Sequence, residues 1–107
     1  MDQIQVSAWS DGQGSFGFYI PTEYISKLQS LKALTLILNY NSNKLLSIPN
    51  INKNFKKGNQ EIIDKNIKEY FESIGLVKNS KKLWDRETPK FNLEFSRNSD
   101  NVIVSKV

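Results

Sequence analysis

Aromatic and lysine side chains in three places carry the chemistry this chain can offer. Trp9 ends one alternating run, and Phe16 and Phe18 alternate on the next. Lys53, Lys56 and Lys57 surround Phe55 in a polar segment, and Lys81, Lys82 and Lys90 surround Trp84. Aromatic faces stack on bases, and ammonium groups neutralise phosphates. Together they point to nucleic-acid binding. Only Arg86 and Arg97 carry a guanidinium group, against thirteen lysines. Few side chains are therefore suited to the bidentate guanine contact that dominates major-groove reading. Single-stranded DNA or RNA, held by stacking and backbone charge, is favoured over duplex.

Catalysis has less support. The chain contains no histidine and no cysteine. That removes the commonest general base and the thiolate and imidazole metal ligands. Asp85, Glu87 and Glu94 are the nearest approach to the carboxylate set of a metal-dependent nuclease, but Phe95 and Ser96 follow Glu94 where a lysine step is needed. Gly12 and Gly14 precede a strand, not a helix, so they do not form a phosphate-cradling loop. No enzyme activity, cofactor or metal is expected. The lack of cysteine suits a reducing, cytoplasmic setting. No apolar run approaches the roughly 18 residues of a membrane span, and Met1-Asp2-Gln3 does not open a signal peptide. A membrane is therefore not an expected partner.

The net charge of +4 and the calculated pI near 9.3 allow attraction to nucleic acid or to an acidic protein. The lysine, asparagine and isoleucine bias suggests an AT-rich genome, such as a low-GC bacterium or its phages. A second class of function follows: a small phage or mobile-element protein that binds and inhibits a host nuclease or polymerase. The oligomeric state is left open by the sequence.

These residues need a frame: a length of 107 residues predicts one domain, 1–107, and hydrophobic periodicity predicts its elements. Residues 3–9 alternate, with Ile4, Val6 and Ala8 on one face and Trp9 on the other. The glycine-containing turn at 10–15 joins this run to a strand at 16–20, making a hairpin. A short helix starts at Pro21-Thr22-Glu23 and stops near Ser30. A strand at 33–40, a turn at 41–44 and a short strand at 45–48 follow. After a polar loop, a longer helix is predicted over 60–74, capped by Asn59 and ended by Gly75. A charged, irregular stretch at 77–90 leads to two closing strands. The expected class is α+β: a small twisted antiparallel sheet, or an OB-like partly open barrel, with one short and one longer helix.

Trp9, Phe16-Gly17-Phe18 and Pro21 resemble the first half of a cold-shock domain, and residues 91–102 resemble its closing hairpin. That resemblance implies an OB barrel that binds single-stranded nucleic acid, with Trp9, Phe16 and Phe18 as its stacking platform. The chain lacks the histidine of that family's second motif. The segment from Asp11 through Ile20-Pro21 to Leu28 is also similar to the AbrB and MazE type of dimeric DNA-binding hairpin, with Ser15 where that pattern has arginine. From the residues alone, Phe16 and Phe18 fit either an exposed platform or the core.

Overall fold

The computed structural model describes residues 2–41 and 44–107. The centre of the turn expected at 41–44 lies outside the described residues. Strands β1 (Gln3–Ser10) and β2 (Phe16–Tyr19) lead into helix α1 (Thr22–Ser30). Strands β3 (Thr35–Asn41) and β4 (Lys44–Ile48) are followed by two single 3-10 turns, Ile51–Lys53 and Phe55–Lys57. Then come β5 (Glu61–Ile63), helix α2 (Lys65–Ser73), the small hairpin β6 (Val77–Lys78) and β7 (Lys81–Lys82), and the closing strands β8 (Lys90–Phe95) and β9 (Asn101–Lys106).

Seven strands form one sheet in the order β4-β3-β9-β8-β1-β2-β5. Every neighbouring pair is antiparallel except β3 with β9. The sheet curls into an OB-like, partly open barrel, with β4 and β5 as its two unpaired edges. Period-2 alternation sends one face inward. Ile4, Val6 and Ala8 of β1 meet Leu36 and Leu38 of β3, Phe91 and Leu93 of β8, and Val102 and Val104 of β9 in a single core. Helix α2 plugs the barrel with Ile67, Tyr70 and Phe71, all buried. Burial pushes the Tyr70 phenol up from its ordinary value, because the phenolate would lose its water.

The longer helix starts later than its periodicity predicts. Glu61–Ile63 is a strand paired with β2, in the register Phe18↔Ile62 and Gly17↔Ile63. Two adjacent isoleucines suit a pleated surface, and β2 offers them a partner. Asp64, not Asn59, is the cap: its carboxylate accepts the Asn66 N–H at 2.8 Å. Gly75 ends the helix at φ 82° as expected, with Leu76 N–H donating back to Phe71 O at 2.9 Å.

One buried polar side chain ties α1 to the sheet. Asn52 is the sole buried polar residue among those described. Its Oδ1 accepts Leu34 N–H at 3.0 Å, and its Nδ2 donates to Leu31 O at 2.9 Å and Lys32 O at 3.1 Å. These groups lie where α1 ends and β3 begins, so their backbone partners are otherwise lost. Asn52→Ala should destabilise the fold by about 1–3 kcal/mol, the cost of leaving buried polar groups unpaired. Urea denaturation measures this, and an unchanged midpoint would show that water replaces the side chain.

Candidate nucleic-acid interface

The turn between β1 and β2 is held by its own side chains. Asp11 Oδ1 accepts Gln13 N–H at 2.8 Å and Ser15 N–H at 3.1 Å, and Ser10 Oγ accepts Gly12 N–H at 3.0 Å. Gly12 and Gly14 take φ of 78° and 104°, values that side chains resist. The N–H of Gln13, then that of Ser15, favours the ionised carboxylate, so Asp11 titrates below the ordinary aspartate value.

This turn sets the register that decides which side chains face out. Ala8 pairs with Phe18 and Ser10 with Phe16, which places both phenylalanines on the inward face. Trp9 pairs with Gly17, and Ser7 with Tyr19, so Trp9 and Tyr19 lie diagonally on the outward face. Trp9 is half-buried there, and Tyr19 is 37% exposed. Gly17 between them cannot be replaced without movement, because a Cβ would collide with the Ile62 carbonyl. On the other side of β1, Lys90 pairs with Ser7 and its Nζ donates to Ser7 Oγ at 2.8 Å. Gln5 and Asn92 pair on the same outward face. The result is a strip with two aromatic rings either side of the buried Gly17, amide groups and one ammonium group, with the Glu94 and Glu61 carboxylates on the same face.

Several expected positions are corrected. Phe16 and Phe18 are not an exposed platform: they are 2% and 0% exposed. Phe71 of α2 meets them edge-on, with ring centroids at 6.2 and 5.4 Å. Phe55 is also fully buried, and its carbonyl accepts the Gln29 side-chain amide. It anchors the loop against α1 instead of offering a ring to a base. Lys53, Lys56 and Lys57 stay exposed around it. Trp84 is half-buried and packs on the core, edge-on to Phe16 at 6.3 Å and to Phe71 at 6.2 Å. Lys82 reaches over it, with Nζ 5.9 Å from the ring centroid, and Lys81 is exposed beside it. Lys90 faces Ser7 on the strip. The expected groups are therefore split: the Lys53–Lys57 loop packs on α1, and the Lys81–Lys82 hairpin follows α2.

Tyr19 lies on the candidate interface and carried one signal in the sequence, as the large residue opposite Phe16 and Phe18 on its strand. Ile63, 46% exposed and continuing the Trp9–Gly17 row, had none, because its partner strand lies far away in sequence. Among the described residues, no three carboxylates stand close enough to hold a metal ion, and no helix is long and apolar enough to cross a membrane. No protein-family model, curated protein or solved structure matches the chain.

The turn gives a pH test. Asp11's folded value lies below its unfolded one, so its contribution is complete above the unfolded value. That contribution is lost as pH falls through the folded value. In an NMR titration, the Asp11 carboxyl should protonate at lower pH than a free aspartate, and the Gln13 and Ser15 amides should shift with it. Amides that ignore Asp11 would show the turn is held by something else.

Proposed function

We propose that this chain binds single-stranded nucleic acid, without catalysis, on the outward face of β1, β2 and β8. The observation that supports it is the Trp9–Tyr19 diagonal on the outward face, with Lys90 at its flank. Diagonal neighbours on a strand pair stand roughly 7–8 Å apart, a distance that successive bases of an extended strand span. Base stacking contributes roughly 1–3 kcal/mol per base and tolerates any sequence. Gln5, Ser7 and Asn92 supply hydrogen-bonding groups beside the rings. Arginine, the side chain that reads guanine, is not on the strip, and Arg97 is paired to Asp2.

The AbrB-like alternative uses the same hairpin as a dimeric DNA-binding unit. Here β1 and β2 are flanked by β8 and β5, so the hairpin has no free edge to offer a second copy. The inhibitor reading has one feature in its favour: the edges of the sheet expose Leu45 at 66% and Ile63 at 46%. A host nuclease or polymerase that added a strand there would cover them.

Fluorescence anisotropy with labelled oligothymidylate and a matched duplex, at two salt concentrations, separates these readings. Single strands should bind more tightly, and more weakly at high salt. Trp9→Ala and Tyr19→Ala should each weaken binding by roughly 5- to 100-fold while the far-ultraviolet circular dichroism is kept. In a Trp84→Phe background, the remaining indole, Trp9, should be quenched by the oligonucleotide. No binding at low salt would overturn the proposal and promote the protein partner.

A further inference from the structure

The strip does not end at Gly17. Its row continues to Ile63 on β5, and two clefts share Ile63 and Asp64 as a common wall. One lies on the open seam of the barrel, between the end of β4 at Ile48 and strand β5, with Lys53 on its rim. The other lies between the β1–β2 turn at Gly14-Ser15 and the start of α2, with Lys65 and Lys68 on its rim. At about 240 and 250 Å³ they fall below the usual size of an enclosed ligand pocket, about 300–1,000 Å³. Lying on either side of Ile63 and Asp64, they suit a chain running over both better than a small molecule held within either.

Charge supports the same occupant. Among the described residues, Lys53, Lys65 and Lys68 make no ion pair. The shared wall also carries one carboxylate, Asp64, which accepts the Asn66 N–H as a helix cap and leaves the three lysines in excess. Glu61 lies on the Tyr19 row of the strip, one position before the seam. Three ammonium groups without an ion pair therefore border two adjoining clefts that meet the outward row of Trp9 and Gly17 at Ile63.

We infer that the single strand stacked on Trp9 and Tyr19 continues along this seam, where Lys53, Lys65 and Lys68 hold its phosphates. The inference rests on the nucleic-acid reading. It makes the footprint longer than the two stacked bases and assigns binding to segments added around the open edge of the barrel. It also accounts for an exposed isoleucine in the track: Ile63 gives the sugar and base edges an apolar surface between two cationic rims.

The test compares oligothymidylates of roughly 4 and roughly 12 nucleotides, within the range of site sizes for such barrels. The variants are Lys53→Gln/Lys65→Gln/Lys68→Gln and a control of equal charge change, Lys27→Gln/Lys32→Gln/Lys106→Gln. For single strands each phosphate contact contributes about 0.7 to the slope of log affinity against log salt. The seam variant should lower that slope by roughly 2 and weaken the long oligonucleotide on the order of 100-fold at roughly 0.1 M salt. The short oligonucleotide should be affected much less, and the control should keep most of the slope. If the wild type binds the long strand and the seam variant keeps its slope, this inference falls and the stacking face stands. If the wild type binds neither strand, both readings fall.

Discussion

The packing of Phe71 inside the barrel is the contact on which the other arrangements depend. Its ring stacks on Phe91 at 5.5 Å and meets Phe16, Phe18 and Trp84 edge-on. A curled sheet leaves a space that its own side chains do not fill, and α2 supplies the plug. Aromatic pairs of these geometries contribute about 0.5–1.5 kcal/mol each beyond their burial. The consequence reaches the outer surface. A strand has a period of two, so committing Phe16 and Phe18 to Phe71 turns Gly17 and Tyr19 outward. The outward position of Trp9 follows in the same way from the inward run of Ile4, Val6 and Ala8. The candidate interface is the complement of the core.

Local polar chemistry then removes the freedom that packing leaves. The Asp11 carboxylate holds the first turn, and a one-residue slip there would exchange every inward and outward side chain of β2. Gly17 lets β5 approach closely enough to pair, since any side chain would strike the Ile62 carbonyl. Asn52 performs the equivalent service at the other side of the barrel, where α1 hands over to β3. Each is a short-range constraint with a long-range result, because each fixes which face a whole strand presents.

Much of this was legible in the sequence. The first hairpin, the helix opening at Pro21 and the closing strands follow from alternation and turn residues, and the order of the elements admits a barrel-like sheet beside another small α+β sheet. Trp9 reads correctly as outward, because three aliphatic residues already claim the other face of its strand. Phe16 and Phe18 do not, because Phe-Gly-Phe-Tyr alternates convincingly with either face inward. Only the pairing with Ala8 decides it, and pairing is a tertiary fact. Ile62 and Ile63 mislead for the same reason: with Ile67, Tyr70 and Phe71 they extend a helical stripe, until β2 claims them as a strand. Phe55 among lysines looks like a stacking ring, and burial against α1 is visible only once the chain is folded. Lys90 sits near Trp84 in sequence but faces Ser7 in space.

The barrel is open where α1 and the β3–β4 pair enter on one side and β5 on the other, and an open sheet edge is a hazard for a small protein. Here the edges are blunted in ways that also shape the seam. Strand β5 has only three residues, and Pro49 follows directly after β4. A proline there cannot donate to a new strand, and a three-residue edge offers little to pair with. What remains exposed on the edges includes apolar side chain, Leu45 on β4 and Ile63 on β5, the latter with lysines around it. Such a surface is poorly made for strand addition by another protein and well made for a ligand that brings its own charge. Under the proposed function, that difference is what would let a polyanion lie in the seam without a second sheet adding to it.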